Sequence, residues 1–165
     1  IGDRIAIMQN GAVVQVGTPD EILHNPANDY VEAFFRGVNI ASVLTVKDIA
    51  RKKPAAVFKK SDNDGPGSAM QILMDHDREY GIVIDKSSRY SGIVSLESLR
   101  SAHKENRSLA SAQLENDVTL QPHQSINDIL GVVADVPYAV PVVDEQGTYF
   151  GVVTKSRLLQ TLDKE

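Results

Sequence analysis

Little in this 165-residue chain stands at a spacing suited to covalent chemistry. It has no Cys, which excludes disulfides, thiolate nucleophiles and Cys-ligated zinc and is compatible with a reducing cytoplasm. His24, His76, His103 and His123 stand apart, none with a partner at metal-ligand spacing, so they read as surface residues and no metal site is expected. No nucleophile, base and orienting group recur together, so no catalytic residue is expected either. What remains is binding chemistry. Ser95 and Thr154 each follow an apolar run and open a helical one, where a hydroxyl caps orphan amides and contributes about 1 kcal/mol. Three positions on stand Ser98 and Arg157, the latter a cation at a helix start, where phosphate is favoured. Tyr138 and Pro141, with Tyr80 at the equivalent strand entry, can line a cleft and stack on a base; packing with a wet hydroxyl is the plainer role. Two basic clusters, Arg51-Lys52-Lys53 with Lys59 and Lys60, and Arg100, His103, Lys104 and Arg107, read as solvated surface.

The elements that must hold these residues follow from local signals. Asn10-Gly11 suits a type I′ turn between strands over 4–9 and 12–16. Thr18-Pro19-Asp20-Glu21 opens a short helix running to His24; Asn28 caps a second over 29–36, which Gly37 is placed to end. A cap at Thr45, with Asp48 at the third helical position and Pro54 beyond, predicts a connector helix over 45–53. Strands are expected at 57–58, 81–84 and 91–94, with helices at 68–74 and 96–103.

That order then recurs: strand 118–119, helix 125–133, strands 139–143 and 149–153, helix 155–162. Sliding the chain on itself by 59 positions (142 minus 83) pairs Val83 with Val142, Asp85 with Asp144, Tyr90 with Tyr149, Gly92 with Gly151, Val94 with Val153 and Leu99 with Leu158, without a gap. A duplicated unit of this size buries its apolar face poorly alone, so the copies are expected to close on each other as a pseudo-dimer.

Composition sets the outer limits. With 42% apolar and 24% charged residues a folded, water-soluble domain is expected. A net charge of -5, from 17 Lys plus Arg against 22 Asp plus Glu, disfavours nucleic acid as a partner. No run of about 18 apolar residues suggests a membrane span and no leader is evident, so membrane association is expected only through a partner. The start on Ile1, inside a strand pattern, makes a piece of something longer the expectation.

The repeat resembles the CBS domain pair. The resemblance rests on the apolar strand ending in Asp (Ile82-Val83-Ile84-Asp85 and Pro141-Val142-Val143-Asp144) and on the strand-to-helix segments Gly92-Ile93-Val94-Ser95 and Gly151-Val152-Val153-Thr154. Upstream, Asp3-Arg4-Ile5 with Met8, Gly11, Gln15, Gly17, Thr18-Pro19, Glu21-Ile22 and Pro26 resembles the end of the ATP-binding subunit of an ABC importer. A CBS pair directly after such an ATPase is similar to the subunits that serve osmoprotectant (glycine betaine/L-proline) importers. The implied fold is α+β: tandem β-α-β-β-α repeats in a pseudo-twofold module, preceded by a hairpin-and-helix remnant of the ATPase domain. The implied divisions are 1–36 for the remnant, 37–54 for the connector, 55–107 for the first copy and 115–163 for the second.

The resemblance also implies a role. Such a module gates uptake in response to ionic strength or a bound nucleotide, adenine nucleotide or cyclic di-AMP, at Ser95, Ser98, Tyr138, Pro141, Thr154 and Arg157. The family pattern has an acidic residue three positions after the Ser or Thr; here Ser98 and Arg157 take that place, so the usual carboxylate clamp on ribose is missing from both copies. Ionic strength would act through Lys52, Lys53, Lys59, Lys60, Arg100, Lys104 and Arg107 against anionic lipid, because such contacts weaken as the Debye length shrinks from about 10 Å to about 3 Å between 0.1 and 1 M salt. ATP and Mg belong to the missing ATPase portion, since no Gly-x-x-x-x-Gly-Lys-Ser/Thr loop and no strand ending in Asp-Glu occur here. Implied partners are a second copy of the chain, a membrane permease and a substrate-binding protein, at the cytoplasmic face of the inner membrane. A purely dimerising module is the remaining alternative.

Overall fold

The reason the chain divides is visible in its hydrophobic clusters, which a computed structural model resolves for residues 4–36, 40–52, 56–59 and 64–163, the side chains of 40, 57 and 59 excepted. The first unit is the hairpin β1 (Ile5–Gln9) and β2 (Ala12–Gly17), followed by α1 (Pro19–His24) and α2 (Asp29–Phe35). Asn10 and Gly11 take φ of 52° and 81°, the left-handed pair that a type I′ turn demands. Thr18 and Glu21 form a reciprocal capping box, and the Asn28 side chain accepts from the Val31 amide. Ile7, Ile22 and Val31 close a small core of their own.

The expected connector helix over 45–53 is shorter than its cap suggested. That range holds the single-turn helix α4 (Val46–Ile49), and another single turn, α3 (Ile40–Val43), precedes it. The Asp48 carboxylate takes both the amide and the hydroxyl of Thr45 at the start of α4. The helix ends because Arg51 turns extended and exchanges two backbone hydrogen bonds with Val152, at 2.9 and 3.0 Å. Nor is the stretch a free linker: Ala41, Leu44, Val46 and Ile49 are buried in one cluster with Ile126, Ile129, Val133, Val142 and Leu158. The whole first copy therefore lies, along the chain, between the connector and the core it completes.

The first copy comprises β3 (Ala56–Lys59), α5 (Pro66–Asp75), β4 (Tyr80–Ile84), β5 (Tyr90–Ser95) and α6 (Leu96–Lys104), with sheet order β3-β4-β5, the outer pair β3/β4 parallel and β4/β5 antiparallel. The second comprises α7 (Ile126–Asp135), β6 (Val140–Val143), β7 (Tyr149–Val153) and α8 (Lys155–Leu162). The strand expected at 118–119 is reduced to a single parallel bridge one residue later, Leu120 to Val142, the counterpart of the Phe58–Val83 pair. Register is shared as well as order: Gly81 opposes Val94 and Val140 opposes Val153, each partner displaced by the same 59 positions as in the sequence (140 minus 81; 153 minus 94). The α+β tandem architecture expected from the repeat is thus present. A 3-10 turn over Leu109–Ala112 that no sequence signal announced buries Leu109 and Ala112 against the first copy.

Candidate functional site

The copies meet turn to turn. In each, the carboxylate of the strand-ending Asp holds a tight turn: Asp85 accepts from the Ser87 and Arg89 amides, and Asp144 from those of Gln146 and Thr148, all within 2.7–3.0 Å. The turns then clasp reciprocally. The Tyr90 amide donates to the Gly147 carbonyl and the Tyr149 amide to the Ser88 carbonyl, both at 2.9 Å. Beneath the clasp, Ile82, Ile84 and Val152 form a small buried cluster flanked by Tyr90, Ala139 and Tyr149. Two weak halves thereby become one body, as the size of the repeat requires.

Beside this clasp lies a cavity of about 270 Å³, lined by Asp77, Arg78, Glu79, Tyr80, Gly81, Ile82 and Ile93 of the first copy and by Pro137, Tyr138, Ala139 and Thr154 of the second. Most of its wall comes from equivalent segments, the three or four residues entering β4 and β6. Tyr80 and Tyr138 approach with ring centroids 5.6 Å apart and planes tilted by 54°. Tyr138 is fixed from behind, its hydroxyl accepting from the Val118 amide at 3.1 Å. Aromatic faces, an Arg, two carboxylates and a hydroxyl make a wall suited to a small polar ligand with a flat ring.

Of the residues singled out from sequence, Tyr80, Tyr138 and Thr154 are brought together here. Ser95 and Ser98 satisfy one another in a capping box at the start of α6, with amide-to-hydroxyl distances of 2.9 and 3.0 Å. Thr154 caps α8 in the same way, accepting from the Arg157 amide at 3.1 Å. Pro141 is buried in β6 opposite Val152. The Arg157 guanidinium turns toward the N-terminal unit and meets Asp20 at 3.4 Å. Asp77, Arg78 and Glu79 were missed. Their signal was available, because they occupy the strand-entry positions that Tyr80 and Tyr138 had already marked, but charged residues before a strand look like any surface turn.

The hydroxyls of the paired tyrosines differ. Tyr90 donates a hydrogen bond to Asp117, and burial together with that carboxylate holds its phenol far above the ordinary range. Tyr149, its equivalent, has a buried hydroxyl with no partner among the described residues, and burial alone pushes its pKa up to about 12. Among the basic candidates, Lys52, Arg100, Lys104 and Arg107 are exposed, and Arg107 pairs with Glu105 at 2.9 Å. Lys53 and Lys60 and the side chain of Lys59 lie outside the described residues. No group of acidic or His residues that could hold a metal occurs among the described residues, and no helix there is long and apolar enough to cross a membrane.

Comparison with known proteins agrees with this geometry. Residues 113–164 match the CBS domain family. Over all 165 residues the chain is 50% identical to the C-terminal part of the glycine betaine/proline betaine transport system ATP-binding protein ProV of Salmonella typhimurium, covering 41% of that protein. It is 31% identical over 162 residues to the glycine betaine transport ATP-binding protein OpuAA of Bacillus subtilis, covering 98% of this chain and 38% of that one. The chain thus spans about two fifths of the length of the curated relatives it matches. Among solved structures, CbpB in complex with c-di-AMP superposes with a TM-score of 0.69 at 14% identity, over 80% of this chain and 93% of that one. Staphylococcus aureus OpuCA superposes at 0.59 and 17%, over 70% and 96%. At such identities the likeness to solved structures is one of fold.

Proposed function

We propose, for a chain that carries a CBS domain and matches ATP-binding proteins of glycine betaine transport along its whole length, that it is the regulatory end of such a subunit. In this reading the pair gates ATP-driven uptake of an osmoprotectant, glycine betaine or L-proline, while ATP and Mg are handled by the ATPase portion that precedes it. The subunit works as a homodimer at the cytoplasmic face of the inner membrane, with a permease and a substrate-binding protein as partners.

The observation that carries the reading is the clasp itself: two copies held as one body around a polar, aromatic-walled cavity, without a catalytic constellation among the described residues. Such a site can bind and shift an equilibrium, and by linkage it shifts it only by as much as the ligand prefers one state. The cavity favours a nucleotide as the signal. Ring faces at Tyr80 and Tyr138 suit a base, and Asp77 or Glu79 supplies a carboxylate for ribose hydroxyls in place of the one missing after Ser95 and Thr154. Ionic strength is the second reading, favoured by Arg100 and Lys104, exposed one helical turn apart on α6. Calorimetry with ATP, AMP and cyclic di-AMP separates the two. Saturable heat supports the nucleotide; silence, with binding to anionic vesicles that fades as salt is added, supports the electrostatic switch. Uptake by the full-length parent lacking residues 37–165 tests the regulatory role common to both. Loss of osmotic control is expected, and control that persists unchanged overturns it.

A further inference from the structure

Among the described residues the N-terminal unit keeps a core of its own, Ile7, Ile22 and Val31, and Leu23 of α1 packs onto the cluster of the second copy. The polar part of the joint is Arg157, whose side chain is 14% exposed, reaching Asp20, 31% exposed. This pair is incompletely made. One guanidinium nitrogen lies 3.4 Å from the carboxylate, Nε is buried without an acceptor among the described residues, and His24 Nδ1, 3.3 Å from the same carboxylate oxygen, is held nearer by the Asp20 carbonyl at 2.8 Å. An Arg fork engaged at one prong only has a second arrangement within reach, closing bidentately or letting go.

Arg157 also sits one helical turn from the cavity. Its amide is the donor that the Thr154 hydroxyl accepts, and Thr154 is a wall residue of the cavity. The chain of contacts is therefore continuous: cavity, Thr154, first turn of α8, Arg157, Asp20, α1. The pseudo-equivalent cap lacks this continuation. Ser95 is answered by Ser98, a side chain that turns back to the Ser95 backbone and reaches no other unit.

We propose that Asp20–Arg157 is the latch through which the state of the cavity reaches the N-terminal unit, and that only the second copy transmits. This rests on the regulatory reading of the cavity, yet it is testable without a ligand or a transport assay. Coupling between two places requires an element with two arrangements that both can bias; here that element is the first turn of α8 with its half-engaged Arg.

The test is amide exchange over residues 19–35 in the intact 165-residue chain. Thr154→Ala, which removes the cap, Arg157→Gln and Asp20→Asn should each speed that exchange by roughly five- to tenfold, the size expected for losing one cap or one partly buried pair. Ser95→Ala should leave it within about twofold while loosening residues 96–104. The double variant Asp20→Arg with Arg157→Asp should recover at least half of the protection. Asp20 is only part-buried, so Asp20→Asn decides the matter even where Thr154→Ala folds poorly. Unchanged exchange in Asp20→Asn and Arg157→Gln, or equal loosening by Ser95→Ala, overturns the proposal. Failure of the latch in this assay leaves the uptake test of the regulatory role standing, and the reverse also holds.

Discussion

The two copies share a backbone and differ in what surrounds it. Both glycines that precede the last core residues of the third strand, Gly92 and Gly151, lie against a passing segment: Gly92 against the Gln113 side chain, Gly151 against the Arg51 backbone. In the first copy that segment follows the repeat immediately. In the second it comes from the connector upstream of the whole pair, so the second copy is finished by residues that also lead to the N-terminal unit. Tyr90 has Asp117 while Tyr149 has no described acceptor, and Ser95 faces Ser98 where Thr154 faces Arg157. Duplication supplied the scaffold twice; divergence tied the second copy to the connector and the N-terminal unit, while the extra contacts of the first run to the segment that follows it and to Asp117.

The sharpest way to break this contrast is to empty the connector's place in the second core. Leu44 is fully buried there, and Leu44→Ala should cost about 3 kcal/mol by chemical denaturation. A loss under about 1 kcal/mol would mean the connector is merely draped over that core. Next come the glycines. A Cβ at position 151 would stand 2.7 Å from the Arg51 carbonyl oxygen, which the strand pairing fixes, whereas at 92 it would stand 2.9 Å from the Gln113 side chain, which can turn away. Both glycines also take φ near +157°, where any side chain is strained, so Gly92→Ala should cost about 2 kcal/mol and Gly151→Ala about 1–2 kcal/mol more, read from midpoints of unfolding. Equal costs would say that the two flanking segments are equally yielding.

Smaller effects separate the tyrosines. Tyr90→Phe removes a hydrogen bond to a carboxylate and should cost about 1–2 kcal/mol, while Tyr149→Phe removes an orphan hydroxyl and should be neutral or slightly stabilising. Both phenols keep their proton in the folded chain above the ordinary value of 10.0, Tyr149 to about 12 and Tyr90 further. Between those limits the unfolded chain has lost protons that the folded one keeps, so stability falls as pH rises above about 10. Tyr149→Phe should flatten that fall in part. A midpoint of unfolding independent of pH from 9 to 12 would contradict the burial of both hydroxyls.

Much of the scaffold was legible because duplication wrote it twice. The 59-residue repeat marked β4, β5, α6 and their counterparts, and turn and cap chemistry marked the hairpin and α1 nearly to the residue. The connector was misread for a physical reason. A capping box starts a helix whatever follows, but Arg51 gains two hydrogen bonds by pairing with Val152, a partner 101 positions away (152 minus 51) that no local window contains. The cavity was half legible for a similar reason. Tyr138 and Thr154 were marked by type and position, whereas Arg78 and Glu79 acquire meaning only once the turns clasp and their segment faces Pro137 and Tyr138. Arg157 looked like a phosphate ligand at a helix start until the fold brought Asp20, far upstream, to the same place.

Amide exchange at the clasp tests most directly whether the copies are one body. The Tyr90 and Tyr149 amides, each donated across the interface, should exchange at matching rates set by the same opening that exposes Val83 and Val142 in the strand cores. Exchange of Tyr90 and Tyr149 at the rate of free loops, while Val83 and Val142 stay protected, would show two separate units and contradict the account.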